Sequence, residues 1–111
     1  MERGEVWSVL LDELRPVLLL SHNEGAWQAI VIVPPANVDI SGVAIEVALA
    51  YADGSADLGV VRVALPRPDL VPCTWLVTIT EGDVIARLGS SAAPTLREID
   101  HALTLAGLAV S

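Results

Sequence analysis

The chain contains no lysine: all six basic residues are arginines, set against 14 acidic residues for a net charge of −8 at pH 7. A protein that tracks phosphates along a nucleic acid usually carries the opposite sign. Long-range steering of such a ligand is therefore unfavourable, and any contact has to come from a local arginine cluster at a groove. Cysteine is almost absent too. The single Cys73 excludes an internal disulfide and a cysteine-ligated zinc site, and it reads as a small buried hydrophobe. Hydrophobic residues make up 53% of the chain, yet no apolar run approaches the roughly 20 residues needed to span a bilayer. Met1 leads through Glu2 and Arg3 into a strand with no apolar signal segment, so the expected location is the cytoplasm, away from any membrane. Phosphate-cradling glycine loops, metal-spaced His or acidic clusters and Ser/His/Asp arrangements are missing as well, and no cofactor or metal is expected.

What is present points to one β-rich domain over residues 1–111, long enough for a single core. Strands are expected over Glu5–Leu11, Pro16–Ser21, Trp27–Val33, Val43–Ala50, Leu58–Leu65 and Trp75–Thr80. In the first, Val6, Ser8 and Leu10 alternate with Glu5, Trp7 and Val9; the second is a continuous apolar run of the buried-strand type. Asp53-Gly54, set between the apolar arms Ile45–Leu49 and Val60–Ala64, is a hairpin signal. Pro66, Pro68 and Pro72 then remove amide donors and mark a crossing loop. Near the C-terminus the spacing turns helical. Leu96, Ile99, Leu103 and Ala106 form one stripe, Pro94 fits the first helical position and Gly107 the residue past the last turn, while Arg97 and His101 fall on the solvent side. A shorter helical turn is expected over Asp83–Leu88, stopped by Gly89. Short strands with one closing helix predict a mainly β fold with a C-terminal helix, the sheet bent into a small barrel. Trp7, Trp27 and Trp75 overfill so small a core, which makes a homodimer the expected outlet.

Two strings near the start carry more information than the rest. They are Arg3-Gly4-Glu5-Val6-Trp7 and, twelve residues on, Arg15-Pro16-Val17-Leu18-Leu19-Leu20-Ser21. In that order and spacing they resemble the opening of the MazF/PemK family of bacterial toxins. The likeness continues through Ile30-Val31-Ile32-Val33-Pro34, Thr78-Ile79, Arg87-Leu88-Gly89 and the C-terminal helix, covering nearly the whole chain. It implies a small SH3-like barrel of the MazF/PemK/CcdB type and a homodimer. It further implies the toxin of a type II toxin–antitoxin system, a metal-independent endoribonuclease cutting single-stranded RNA and restrained by a protein antitoxin. The arginine that the family places at its catalytic centre matches Arg15.

Cutting RNA without a metal requires activating a 2′-hydroxyl, protonating the leaving 5′-oxygen and stabilising charge on the phosphorane. Arg15 suits the last task, because a permanently charged planar fork stabilises phosphate oxygens but makes a poor base. Its bland alternative is an ion pair with Asp12 or Glu13 at the strand mouth. Other positions depart from the family pattern. Ala36 follows Pro34-Pro35 where the family has a threonine, and Pro72 and Thr74 replace an arginine and an aspartate. Asp12-Glu13-Leu14 is too short a connection to arch over the site as a lid, so the groove is expected to be more open.

Replacement candidates for proton transfer are His22, whose ordinary pKa lies near neutrality, together with Asn37 and Thr74. Asp39 lies on a loop that would converge with Arg15 if the barrel closes as in the family, and is grouped with Arg62 and Arg67 as RNA-contacting. Each has an ordinary reading beside it: a plain loop histidine for His22, solvation of a strand edge for the arginines. Two functions follow. One is the endoribonuclease; the other is a catalytically degenerate binding module that docks a protein, favoured by the net acidity and the lost threonine. An acidic toxin also attracts an acidic antitoxin tail weakly, so apolar anchors near Trp27 or Trp75 are expected to hold it.

Overall fold

β2 (Leu14–Asn23) is apolar on both faces, and the rest of the molecule is arranged to cover both. The computed structural model describes residues 1–49, 51–54, 59–66 and 74–108. Around β2 lie β1 (Glu5–Leu10), β3 (Ala26–Val31), β4 (Ala44–Ala48), β5 (Tyr51–Gly54), β6 (Val60–Ala64), β7 (Leu76–Ile79), β8 (Val84–Ser91) and α1 (Ala93–Leu105). Six strands form one antiparallel sheet in the order β5-β8-β1-β2-β3-β7, and β4 pairs with β6. The Val33–Val60 bridge ties that pair to the end of β3. The fold is mainly β with one C-terminal helix, as expected.

Leu18 and Leu20 project to the face that packs with Val6, Ile30, Ile32, Val47, Val61 and Val63 beneath Ile99, Ala102 and Leu103 of α1. Val17 and Leu19 project to the opposite face, with Val9, Trp27, Ala29, Val31 and Ile79. No helix covers this second cluster among the described residues, yet Val9, Val17, Leu19, Ala29 and Ile79 are all fully buried. The sheet covers them itself by curling. β7 and β8 stand on opposite sides of β1, β2 and β3 in the strand order, but a single 3₁₀ turn, Glu81–Asp83, joins them. So short a link requires their ends to meet, and the five strands wrap into a small barrel around the second cluster. Thr80 and Asp83 cap that turn reciprocally.

The Arg3-Gly4 string is a joint of this frame. Gly4 donates to the Leu19 carbonyl at 2.9 Å, accepts from Ser91 at 2.8 Å, and sits at φ +90° under Leu96 of α1, where a Cβ would collide with the leucine. Arg3 donates to the Leu20 carbonyl at 3.0 Å and pairs with Asp100 of the helix. At the other end of β2, Glu24 and Gly25, both at positive φ, make a two-residue hairpin turn. α1 ends as its sequence predicts: Gly107 donates to Thr104 and Leu108 to Leu103 in a Schellman cap.

Two sequence expectations are overturned. Residues 84–88 are not helical; after the 3₁₀ turn the chain extends as β8 against β1. Bulges opposite Val6/Trp7 and Ser8/Val9 interrupt the two-residue alternation, so Val84 and Leu88, four apart, mimic a helical stripe while packing on different clusters. Nor is Asp53-Gly54 a tight turn. The arms pair as expected, Ile45 with Val63 and Val47 with Val61, but between them the chain leaves as β5, whose Asp53 and Gly54 pair with Ser90 and Gly89. Ala50, Leu58, Pro68, Pro72 and Cys73, which figured in the strand limits, the loop and the cysteine reading, lie outside the described residues. Of the tryptophans, Trp27 is buried, Trp7 half-buried and Trp75 exposed.

Gly59 generates a stability prediction. It sits at φ +129°, and an added Cβ would collide with the Val33 carbonyl oxygen. Gly59→Ala should lower unfolding stability by at least ~2 kcal/mol in urea denaturation, because it combines backbone strain with loss of the Val33–Val60 bridge.

Candidate functional site

The β1–β2 turn spans three residues, closed by Leu11 donating to the Glu13 carbonyl at 3.1 Å and Glu13 donating to the Asp12 carboxylate at 3.0 Å. It delivers both acids to Arg15. The guanidinium binds Asp12 through Nε at 3.2 Å and Glu13 through Nη2 at 2.9 Å. The ion pair named as the bland alternative is thus formed. It is an exposed one, since the Asp12 and Glu13 side chains are 75% and 66% accessible against 24% for Arg15. Such pairs are weak and a stronger anion displaces them. Arg15 hydrogen bonding is also the main reason that the Asp12 carboxyl lies below its usual range.

Strand periodicity decides which way Arg15 points. It shares the parity of Val17 and Leu19, so it leans over the mouth of the barrel interior. Across the end of β3, Trp75 shares the parity of Val77 and Ile79 on β7 and leans over the same mouth. The guanidinium lies 4.4 Å from the indole centroid, a cation–π contact worth about 1 kcal/mol. The Trp75 backbone is held firmly, its carbonyl accepting from Val31 at 3.0 Å. With Val31, Val33 and Arg62, the indole lines a cavity of about 170 Å³.

Arg62 comes to this cavity from β6 with its own partner. Its Nη2 lies 2.6 Å from Glu46 Oε2, directly across the β4–β6 ladder, and donates to the Pro34 carbonyl at 2.9 Å. Glu46 also accepts from the Ala36 amide at 3.0 Å. Burial pushes the Glu46 carboxyl up, but the Arg62 and Ala36 hydrogen bonds outweigh it and hold the group below its ordinary value.

The remaining predicted residues are distributed unevenly. Thr74 adjoins Trp75 and accepts from the Ala64 amide at 3.0 Å through its hydroxyl. Asn37 is exposed beside Ala36, near the Arg62 end. Asp39 closes a local turn by accepting from the Ser41 amide at 2.9 Å, a bond that lowers its pKa, and as an exposed carboxylate it repels phosphate. His22 does not join the group. It stands at the far end of β2 from Arg15, a separation of roughly 23 Å at the usual strand rise, with its ring 4.9 Å from that of Trp27. Arg67 lies outside the described residues. A larger hollow of about 390 Å³ between β4 and α1, bordered by Ile45, Val47, Arg97 and His101, contains none of the predicted site residues. Sequence reasoning missed Trp75 as a wall of the site and Glu46 as the partner of Arg62. The signal for Trp75 was its two-residue spacing from Val77 and Ile79.

This geometry sits on a fold already known. The chain superposes, at a TM-score of 0.66 and 18% identity, on a solved structure of an endoribonuclease in complex with its cognate antitoxin from a Mycobacterial species; the match covers 100% of this chain and 99% of that one. It is a likeness of fold. No family model matches the sequence, and no curated protein matches it either.

The Arg15–Asp12 contact has a measurable consequence. The depressed Asp12 pKa means that the carboxylate grips Arg15 throughout the neutral range and lets go only as pH falls through that lowered value. In a carboxyl-carbon NMR titration Asp12 should therefore titrate below an ordinary aspartate, and Arg15→Ala should move its midpoint upward. An unmoved midpoint would mean that the ion pair does not persist in solution.

Proposed function

We propose that this protein is the toxin of a type II toxin–antitoxin pair, a MazF/PemK-like endoribonuclease that cuts single-stranded RNA at the cleft between Arg15, Trp75 and Arg62. The observation that carries this reading is the position of Arg15. It is a cation at the mouth of a barrel, beside an exposed aromatic wall, on a fold matched end to end by a solved endoribonuclease. In the proposed reaction the 2′-oxygen bonds to phosphorus while the bond to the 5′-oxygen breaks, leaving a 2′,3′-cyclic phosphate and a 5′-hydroxyl. Arg15 exchanges its exposed carboxylates for the phosphorane oxygens, whose extra charge makes them the better partner. Glu13, already in contact with that guanidinium, accepts the 2′-hydroxyl proton. Thr74, whose hydroxyl oxygen accepts from Ala64, and Asn37 supply hydrogen bonds. The 5′-oxygen takes its proton from water in the open cleft. No metal is assigned a step, and the cytoplasm is where such a substrate is met.

Partners belong to the same reading. Leu10 and Leu14, facing each other across the β1–β2 ladder, are 54% and 60% exposed, and Ile85 on β8 is 58% exposed. This apolar surface beside Arg15 suits a second copy of the chain, so the groove would be built by two subunits. An antitoxin would cover it, with Trp75 and not the buried Trp27 as the apolar anchor.

A second reading has an observation in its favour: both cations of the cleft are already neutralised, Arg15 by Asp12 and Glu13 and Arg62 by Glu46, in a chain of net charge −8. On that view the barrel docks a protein and has lost its chemistry. The purified protein, incubated with long single-stranded RNA in chelator, decides between them. Sequence-selective fragments ending in a cyclic phosphate, reduced about 10²- to 10³-fold by Arg15→Ala, are expected for the nuclease. Growth arrest on expression without RNA cleavage would instead establish the docking module. Leu10→Asp combined with Leu14→Asp should convert a dimer to a monomer in sedimentation velocity.

A further inference from the structure

Trp75 is the one tryptophan left open to solvent, 41% exposed, whereas Trp27 is buried within the second cluster and Trp7 packs against it. Its exposure is not slack at a mobile tip. The carbonyl of Trp75 accepts from Val31 at 3.0 Å, and the preceding Thr74 is fastened twice, its hydroxyl accepting from Ala64 at 3.0 Å and its carbonyl from Leu76 at 2.9 Å. A large flat apolar ring is thus fixed in water by rigid backbone, with an arginine over it and a second arginine in the cavity that it lines. That cavity, about 170 Å³, is well below the ~300 Å³ at which whole drug-sized ligands are enclosed. It takes one planar ring. The apolar floor of Val31 and Val33 suits a ring face, the Arg62 guanidinium on the cavity wall suits a neighbouring phosphate, and Arg15, held against the indole, stands next to it for another.

We propose that Trp75 is the stacking platform for one unpaired base of the bound RNA strand, an inference that rests on the endoribonuclease reading above. Stacking on an aromatic face tolerates any base because every base has a π-face, so this contact anchors the strand and sets its register on Arg15. Trp75 is in this sense a binding and positioning residue; the reacting atoms lie with Arg15.

The test uses the full chain and ten-nucleotide oligouridylate RNAs, whose bases stack little on one another, carrying 2-aminopurine at successive positions, whose fluorescence is quenched when the reporter stacks. Wild-type protein is expected to quench the reporter at one position and not at its neighbours. Trp75→Leu, which keeps apolar bulk and removes the π-face, should abolish that quench and raise KM for RNA cleavage tenfold to a hundredfold with kcat changed less. Trp75→Phe should restore most of both, and thermal melting of the variants separates this from a folding defect. If wild-type protein cleaves RNA while Trp75→Leu retains KM and quench, the stacking role is overturned and the nuclease reading stands, leaving the indole to a protein contact. Should wild-type protein neither bind nor cleave RNA, both are overturned together.

Discussion

A single 3₁₀ turn, Glu81–Asp83, joins strands that the sheet order places on opposite sides of three others, and this short link holds the molecule in its curled form. Were β7 and β8 free to part, the second face of β2 would lie open and its fully buried Val17 and Leu19 would meet water. Curling buries those side chains without a covering layer, at roughly 1.5–3 kcal/mol for each Val or Leu removed from solvent. It also creates a mouth. Arg15 comes from β2 and Trp75 from the residue that leads into β7, on the other side of β3, and they meet where the inward faces of those elements converge.

The charge pattern has a matching logic. With an excess of carboxylates, most arginines among the described residues are paired: Arg3 with Asp100, Arg15 with Asp12 and Glu13, Arg62 with Glu46 and Arg87 with Glu5. These pairs differ in kind. Glu46 is fixed by the Ala36 amide as well as by Arg62, which makes it a structural cross-strand tie. Asp12 and Glu13 stand in water and hold Arg15 with single bonds, which makes them exchangeable. An anion entering the cleft meets a guanidinium that is screened but not sealed.

The two N-terminal strings have separate duties. Arg3-Gly4-Glu5-Val6-Trp7 is a joint: Arg3 fastens the helix, Gly4 lets backbone pass beneath Leu96, Glu5 receives Arg87 and the Trp7 indole, and Val6 enters the core. Arg15 onward is the part that reaches the mouth. The first string therefore serves the scaffold, while the second carries the cation of the candidate site. Such a division is consistent with a fold that is shared at 18% identity.

Local pattern was enough to place β1, β2, β3, β4, β6, β7 and α1, because alternation, a continuous apolar run, helical spacing and a glycine stop are properties of neighbouring residues. It was not enough for β5 or β8. Their partners are remote in the chain, and the bulges in the β1–β8 ladder erase the period that would have announced a strand. The candidate site divides the same way. Arg15 at a strand mouth beside two acids could be read directly from the sequence. The distance of His22 from Arg15, the pairing of Arg62 with Glu46 and the approach of Trp75 to Arg15 were decided by tertiary structure, since strand order and curl, which bring distant side chains together, arise only when both faces of β2 are buried at once.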